Sequence, residues 1–295
     1  MKWLKNNILP FIAYHSSTTG LIRYAGANLI FPFFHTVSDK YLPHIHPLYR
    51  PKTIKEFCED LDFLLKYFQP VDMDTVYSHC SGEKMIGRPS FHLSFDDGLR
   101  EIYDIVTPIL YRKGIPFTVF VNSDFIDNRN LFFRHKEVLK SQSIDPDTFL
   151  NEKRPYLSTI QLKEMQKKGV HIGAHSANHP YYNSLEEKQQ IAQTLESCSF
   201  VKKIFEQKLT TFAFPFTDTG ISDSFFEAIY PTVDLSFGIS GIYFQHNGRH
   251  IGRIDMEKYG RNARECINKA LLVKKYRYTV KDSRFTVNES NNRVP

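Results

Sequence analysis

Ser90-Phe91-His92-Leu93-Ser94-Phe95-Asp96-Asp97-Gly98 is the stretch whose reading decides the fold. An apolar run ends on two adjacent carboxylates and a glycine, and a helical pattern over residues 100–113 follows at once. That is a buried strand feeding a helix. The unit recurs along the chain. Short apolar runs at residues 29–37, 116–122, 170–175, 211–216, 235–239 and 251–254 are each bounded by turn or charged residues. Helical spacing of apolar residues marks 54–67, 159–168, 185–205, 222–229 and 257–276. Strand and helix alternate, which implies a parallel sheet covered by helices, either an open doubly wound sheet or a closed barrel.

Local signals set several boundaries. Ser158 is a helix cap, Ser184-Leu-Glu-Glu reads as a capping box, and Gly114 and Gly169 end helices where a left-handed residue is needed. Residues 124–155 are polar and carry Pro146 and Pro155, so this stretch is a functional insertion or is partly helical itself. No repeat and no Gly/Ser-rich or Pro-rich linker divides the chain, so a single domain over residues 29–280 is expected, with an N-terminal extension over 1–28 and a polar tail over 281–295.

The chemistry collects at strand ends. In parallel α/β folds ligands gather at the carboxyl ends of strands, where Asp96 and Asp97 stand and can turn to different tasks. A second cluster, His175-Ser-Ala-Asn-His179-Pro180, closes another strand. Two neutral imidazoles at that spacing can meet one metal ion. A protease HExxH helix is excluded, because Ser176 follows the first histidine and Gly173 and Pro180 oppose a long helix. Two histidines and one carboxylate make three protein ligands, and a second carboxylate is left as base, which is the recipe for metal-assisted hydrolysis. With no thiolate in the set, zinc fits best, and cobalt, nickel, manganese or iron would be accepted.

Composition narrows the class. Of 295 residues, 41% are hydrophobic and 24% charged, which excludes a disordered chain, a collagen and a multi-span membrane protein. The 25 Phe and 16 Tyr offer flat faces for packing or for sugar rings. A net charge of +6 suits an anionic partner but is no nucleic-acid footprint without a basic stripe. Cations between Lys258 and Lys281 fall on the terminal helix and read as a solvated face, a peripheral contact with a membrane or lipid-linked glycan being the lesser reading. Cys58, Cys80, Cys198 and Cys266 are far apart, which suits a reducing compartment rather than a disulfide scaffold. The apolar residues 8–14 contain Pro10, and cleavage near Ala25-Gly26-Ala27 would abut the first strand, so a cytoplasmic protein without a cleaved signal is expected.

The order FDDG, then HSxxH, then an aromatic-Pro-aromatic strand resembles the polysaccharide deacetylases of the NodB-homology type, the family 4 carbohydrate esterases, over residues 29–254. The resemblance implies a distorted (β/α)7 TIM-like barrel and a hydrolase that removes N-acetyl, or less often O-acyl, groups from a saccharide. It implies Asp96 as catalytic base, Asp97, His175 and His179 as metal ligands, and the Phe216 N–H in Phe214-Pro215-Phe216 as oxyanion donor. Phe214 and His35, the latter in Phe34-His35-Thr-Val37, are implied at the substrate side of the site. Three departures stand out. Ala213 occupies the place where the family commonly has an arginine paired with the base, so that pair is expected to be missing. Thr217 follows Phe216 where glycine is usual. Arg253-Ile254-Asp255 aligns with the late Leu-x-His motif, which leaves the general acid unassigned. His246 and His250 read as surface or strand-end histidines, and Arg134 and His135 as loop residues that could touch substrate, solvation being the ordinary reading. The competing class is a metal-containing carbohydrate-binding protein of an assembly pathway that has lost turnover.

Overall fold

Pro32 divides the first apolar run. It has no N–H to give to a ladder, and in the computed structural model, which describes residues 9–257 and 262–282, the run splits into Leu29–Ile30 and β1 (Pro32–Phe34). The run at 90–95 splits in the same way at His92, into Ser90–Phe91 and β2 (Leu93–Phe95). The first halves join Gln69–Pro70 in a small parallel sheet. The second halves enter the barrel.

From β1 and β2 the sheet continues in parallel through β3 (Phe117–Val121), β4 (His171–Ala174), β5 (Thr211–Ala213) and β6 (Leu235–Gly238). Beyond it β7 (His250–Gly252) runs parallel to β6, and β8 (Ile254–Asp255) runs parallel to β1. Only Arg253 lies between β7 and β8, so one continuous segment ties the last stave to the first. The Arg253 N–H reaches Gly238 O at 3.2 Å and the Ile254 N–H reaches Phe31 O at 2.8 Å. This is the expected distorted seven-stave barrel. At the joint the chain passes too close for a side chain: a methyl group at Gly252 would run into the Gly241 carbonyl and the Tyr243 ring.

Helices cover the outside. Ile54–Tyr67 starts on a Thr53/Glu56 capping box, and Thr159–Lys167 on a Ser158/Gln161 box. The helix expected over 100–113 is irregular: Pro108 removes one donor, and a π-helical turn, Ile102–Val106, precedes Thr107–Lys113. Gly114 ends it at φ 63°. Ser184 does not cap the next long helix. Its hydroxyl donates to the Tyr181 carbonyl, and Glu186 with Gln189 forms the cap of Glu187–Phe205. The insertion 124–155 is partly helical, with Phe133–Ser141 and Pro146–Lys153.

Residues 9–28 are no loose extension. Thr18–Ala25 buries Leu21 and Ile22, packs on the last helix, Ala263–Asp282, and Asn268 Nδ2 donates to Ala13 O at 2.8 Å. Of the expected tail, residues 283–295 lie outside the described residues, as does Lys258. No helix among the described residues is long and apolar enough to cross a membrane. The core has two faces: Phe34, Phe57, Phe95 and Phe117 pack edge to face between sheet and helices, and Phe120 and Phe237 meet at 5.4 Å on the other side.

Candidate active site and metal centre

Side chains alternate along β2, so Ser94 and Asp96 share a face while Phe95 packs on Phe57 and Phe117. On that face both meet Arg253. Its guanidinium grips Asp96 with two bonds, Nη1 to Oδ1 at 2.7 Å and Nη2 to Oδ2 at 2.8 Å, and donates to Ser94 Oγ at 3.2 Å. The guanidinium lies over the Phe33 and Phe120 rings, at 4.3 and 5.2 Å from their centroids. The expectation that the base lacks an arginine is therefore corrected. Ala213 does stand in the usual place, but barrel closure delivers Arg253 to the same carboxylate from far along the chain. Burial would raise the Asp96 pKa, but the guanidinium outweighs it and holds the carboxyl below its ordinary range.

Asp97 turns away from the strand in a left-handed conformation, φ 68°, followed by Gly98 at φ 63°. Its Oδ1 lies 3.2 Å from His179 Nε2 and 3.5 Å from His175 Nε2. Nδ1 of His175 donates to Ala213 O at 2.8 Å, which leaves the Nε2 lone pair facing Asp97. Burial pulls the His175 pKa down to about 4, so this ring is neutral at pH 7. Asp97 Oδ1 is buried without a hydrogen bond, although two imidazole nitrogens crowd it. One ligand atom from each of the three residues, all within 4.8 Å of one another, fits a divalent cation. Ser176, His179 and Phe216 also take positive φ, at 68°, 59° and 56°. Non-glycine residues hold such conformations at a cost of about 1–3 kcal/mol each and gather at functional sites. Here the Asn122 side chain donates to the His175 carbonyl, and Ser176 Oγ accepts the His179 N–H at 3.1 Å.

Above these residues lies a cavity of about 200 Å³. His35, at the end of β1, borders it and holds Glu257 through both its N–H (3.2 Å) and Nδ1 (2.5 Å). Burial opposes a charge on His35, but the Glu257 carboxylate prevails and raises the pKa to about 10, so the ring is an imidazolium at pH 7. The Phe216 N–H finds no acceptor among the described residues. The Phe216 ring stacks on Tyr181 at 4.0 Å and meets His179 at 4.5 Å. Tyr181 in turn lies 6.0 Å from Phe133, and these two rings are 42% and 40% exposed.

Other expectations are corrected. Phe214 borders the cavity but is wholly buried against Tyr182 and Phe225, a wall rather than a platform for a sugar. Of the two readings of Arg134 and His135 the solvated one fails: both line the cavity, and His135 is buried against the Tyr156 hydroxyl at 2.9 Å. His250 does stand at a strand end, as expected, and there it is buried, bonded to Ser236 Oγ at 2.8 Å and Asp218 Oδ2 at 3.2 Å. His246 stacks on Phe226. Reasoning from the sequence missed the roles of Arg253 and Glu257. For Arg253 a signal existed, a lone arginine inside an apolar run. Glu257 carries none.

Residues 84–228 match the polysaccharide deacetylase family. The matched segment contains both the Asp96-Asp97 and the His175/His179 clusters and the Phe214-Pro215-Phe216 stretch. Polysaccharide deacetylases are hydrolases acting on N-acetyl C–N bonds. The chain is 24% identical over 123 residues to YxkH of Bacillus subtilis, itself assigned to the polysaccharide deacetylases by name only; the match covers 42% of this chain and 35% of YxkH, so the chain spans about a third of that relative's length. Among solved structures it resembles the deacetylase PplD of Streptococcus pyogenes, determined with acetate, at TM-score 0.62, 16% identity, 80% of this chain and 95% of that one. IcaB of Ammonifex degensii gives TM-score 0.61 at 17% identity over 83% and 98% of the two chains. A de-N-acetylase of Aggregatibacter actinomycetemcomitans gives 0.59 at 16% over 79% and 96%. At such identities these structures establish the fold.

Proposed function

We propose that the protein is a metal-dependent hydrolase that removes N-acetyl groups from a saccharide, such as a polysaccharide or glycan precursor. The observation that carries this reading is Asp96, buried and kept ionised by Arg253, beside the converging Asp97, His175 and His179. Those three residues would hold the cation, and zinc suits the imidazole and carboxylate donors best. When bound, a divalent cation polarises the acyl oxygen and acidifies the attacking water.

The side chains divide the remaining work. Asp96 takes a proton from the attacking water. Arg253 keeps that carboxylate unprotonated beforehand and fixes its orientation. The Phe216 N–H donates to the oxygen on which negative charge develops. His35, held as a cation by Glu257, supplies the proton that the leaving amine needs. The small cavity admits the reacting residue, and the exposed faces of Tyr181 and Phe133 suit sugar rings beyond it.

A binding protein without turnover would have little use for a carboxylate clamped in its ionised form beside metal ligands. That alternative drew its force from a missing arginine and a missing acid histidine, and Arg253 supplies the first. The test is acetate release from a panel of N-acetylated and O-acetylated saccharides, using chelator-treated protein with zinc, cobalt, nickel, manganese or iron returned. Metal-dependent release from N-acetyl sugars is expected. Metal bound with no release from any saccharide would overturn the reading.

A further inference from the structure

Between β1 and the helix Ile54–Tyr67 two side chains border the cavity without a task in the scheme above, the apolar Leu48 and one with a polar group, Tyr49. Tyr49 places its ring 5.4 Å from that of His35, and its hydroxyl oxygen is buried with no hydrogen-bond partner. An unpaired buried hydroxyl costs folding free energy. The segment that carries it is firmly built. Val37 pairs with Lys52, and the Ser38 N–H bonds Lys52 O at 2.9 Å, closing the segment at its base. Lys52 is itself buried in an ion pair with Asp60 at 3.0 Å. Within the segment the N–H groups of Ile45 and His46 bond Leu42 O, those of Leu48 and Tyr49 bond Ile45 O, and the Leu42 N–H bonds His46 Nδ1 at 3.0 Å. The ring is held, so its hydroxyl does not reach solvent by rotation of a loose loop. Burial, reinforced by the carboxylates of Glu257, Asp97, Glu101 and Asp255, keeps it a neutral phenol, yet it bonds none of them. A neutral, fixed donor with no partner in the protein, carried by a residue that lines a reaction cavity, is placed for a ligand oxygen.

We propose that Tyr49 is a substrate-binding residue of this site, whose hydroxyl hydrogen-bonds an oxygen of the bound saccharide residue next to His35. The proposal rests on the deacetylase reading for the class of ligand. Replacing Tyr49 by Phe deletes the unpaired oxygen and leaves the ring packing intact. In the metal-loaded full chain, Tyr49→Phe is expected to keep or raise the unfolding midpoint while kcat/KM on an N-acetylated oligosaccharide falls roughly tenfold, mostly through KM. In the Asp96→Asn background, calorimetric affinity for N-acetylglucosamine oligomers with β-1,4 or β-1,6 linkage should fall by a similar factor on adding Tyr49→Phe. Unchanged kcat/KM and unchanged affinity would overturn the proposal, and so would a fall in unfolding midpoint that accounts for the lost activity. Acetate release with no Tyr49 dependence leaves the deacetylase reading standing alone. Tyr49-dependent binding without acetate release from any substrate removes the activity and keeps this site.

Discussion

Replacing Arg253 by Met tests the best-defined interaction in the molecule. The variant keeps an unbranched chain against Phe33 and Phe120 but removes both bonds to Asp96 and the bond to Ser94. Removing one partner of a buried ion pair costs about 3–5 kcal/mol. A second route gives a similar figure. The stranded carboxyl escapes by taking up a proton, and from its ordinary pKa of 3.8 to pH 7 that costs about 4 kcal/mol at 1.36 kcal/mol per unit. The sign with pH follows. In the wild type the Asp96 pKa is depressed, so its contribution to stability is present above 3.8 and is lost as pH falls through the lower folded value. In the variant the buried carboxyl has a raised pKa, so the deficit grows between pH 4 and pH 7, and near pH 5 it is limited to about 1.6 kcal/mol. Urea denaturation at pH 5 and pH 7 measures this. At pH 7 a protonated Asp96 is no base, and acetate release should fall about 10²–10⁴-fold. Adding Asp96→Asn to Arg253→Met should recover stability at pH 7, because the stranded carboxylate is gone. Stability within about 1 kcal/mol of wild type at both pH values, together with activity within about twofold at pH 7, would refute the reasoning.

Further outcomes are expected. His175→Ala and His179→Ala should each lose bound zinc by equilibrium dialysis while the protein stays folded by circular dichroism; full occupancy in both would remove the ligand assignment. The Glu257 carboxylate holds the proton on His35, so its share of stability is complete below its ordinary pKa of 6.5 and is lost as pH climbs through about 10. Thermal melts of wild type should show that decline between pH 7 and pH 10, and Glu257→Gln should show none of it. Gly252→Ala should destabilise the barrel joint by about 1–3 kcal/mol, as overpacking does, and a variant as stable as wild type would show that the Gly241 and Tyr243 approach is relaxed easily.

Much of this arrangement was legible in the residues themselves. Apolar runs ending on Asp96-Asp97 and on His175 predict parallel strands with chemistry at their carboxyl ends, and the three ligand atoms do converge. The strand breaks at Phe31 and His92 were not legible as a second small sheet, because pairing partners are chosen by tertiary placement rather than by local pattern. The Arg253–Asp96 clamp was hidden for the same reason: it forms only when the end of the chain closes the barrel, so the local comparison at Ala213 suggested an absence that the three-dimensional site does not have. The insertion helices gave weak signals because Phe133–Ser141 and Pro146–Lys153 are polar on most sides. Glu257 and Tyr49 matter only through the ring that folding brings beside them, that of His35.

The account stands or falls on Asp96 as the base of a metal-dependent deacetylation. The direct measurement is acetate released per bound metal, wild type against Asp96→Asn, on one N-acetylated oligosaccharide at pH 7. The account predicts equal metal content in the two proteins and release slowed by about 10²–10⁴-fold in the variant. Equal rates of release at equal metal content would contradict it.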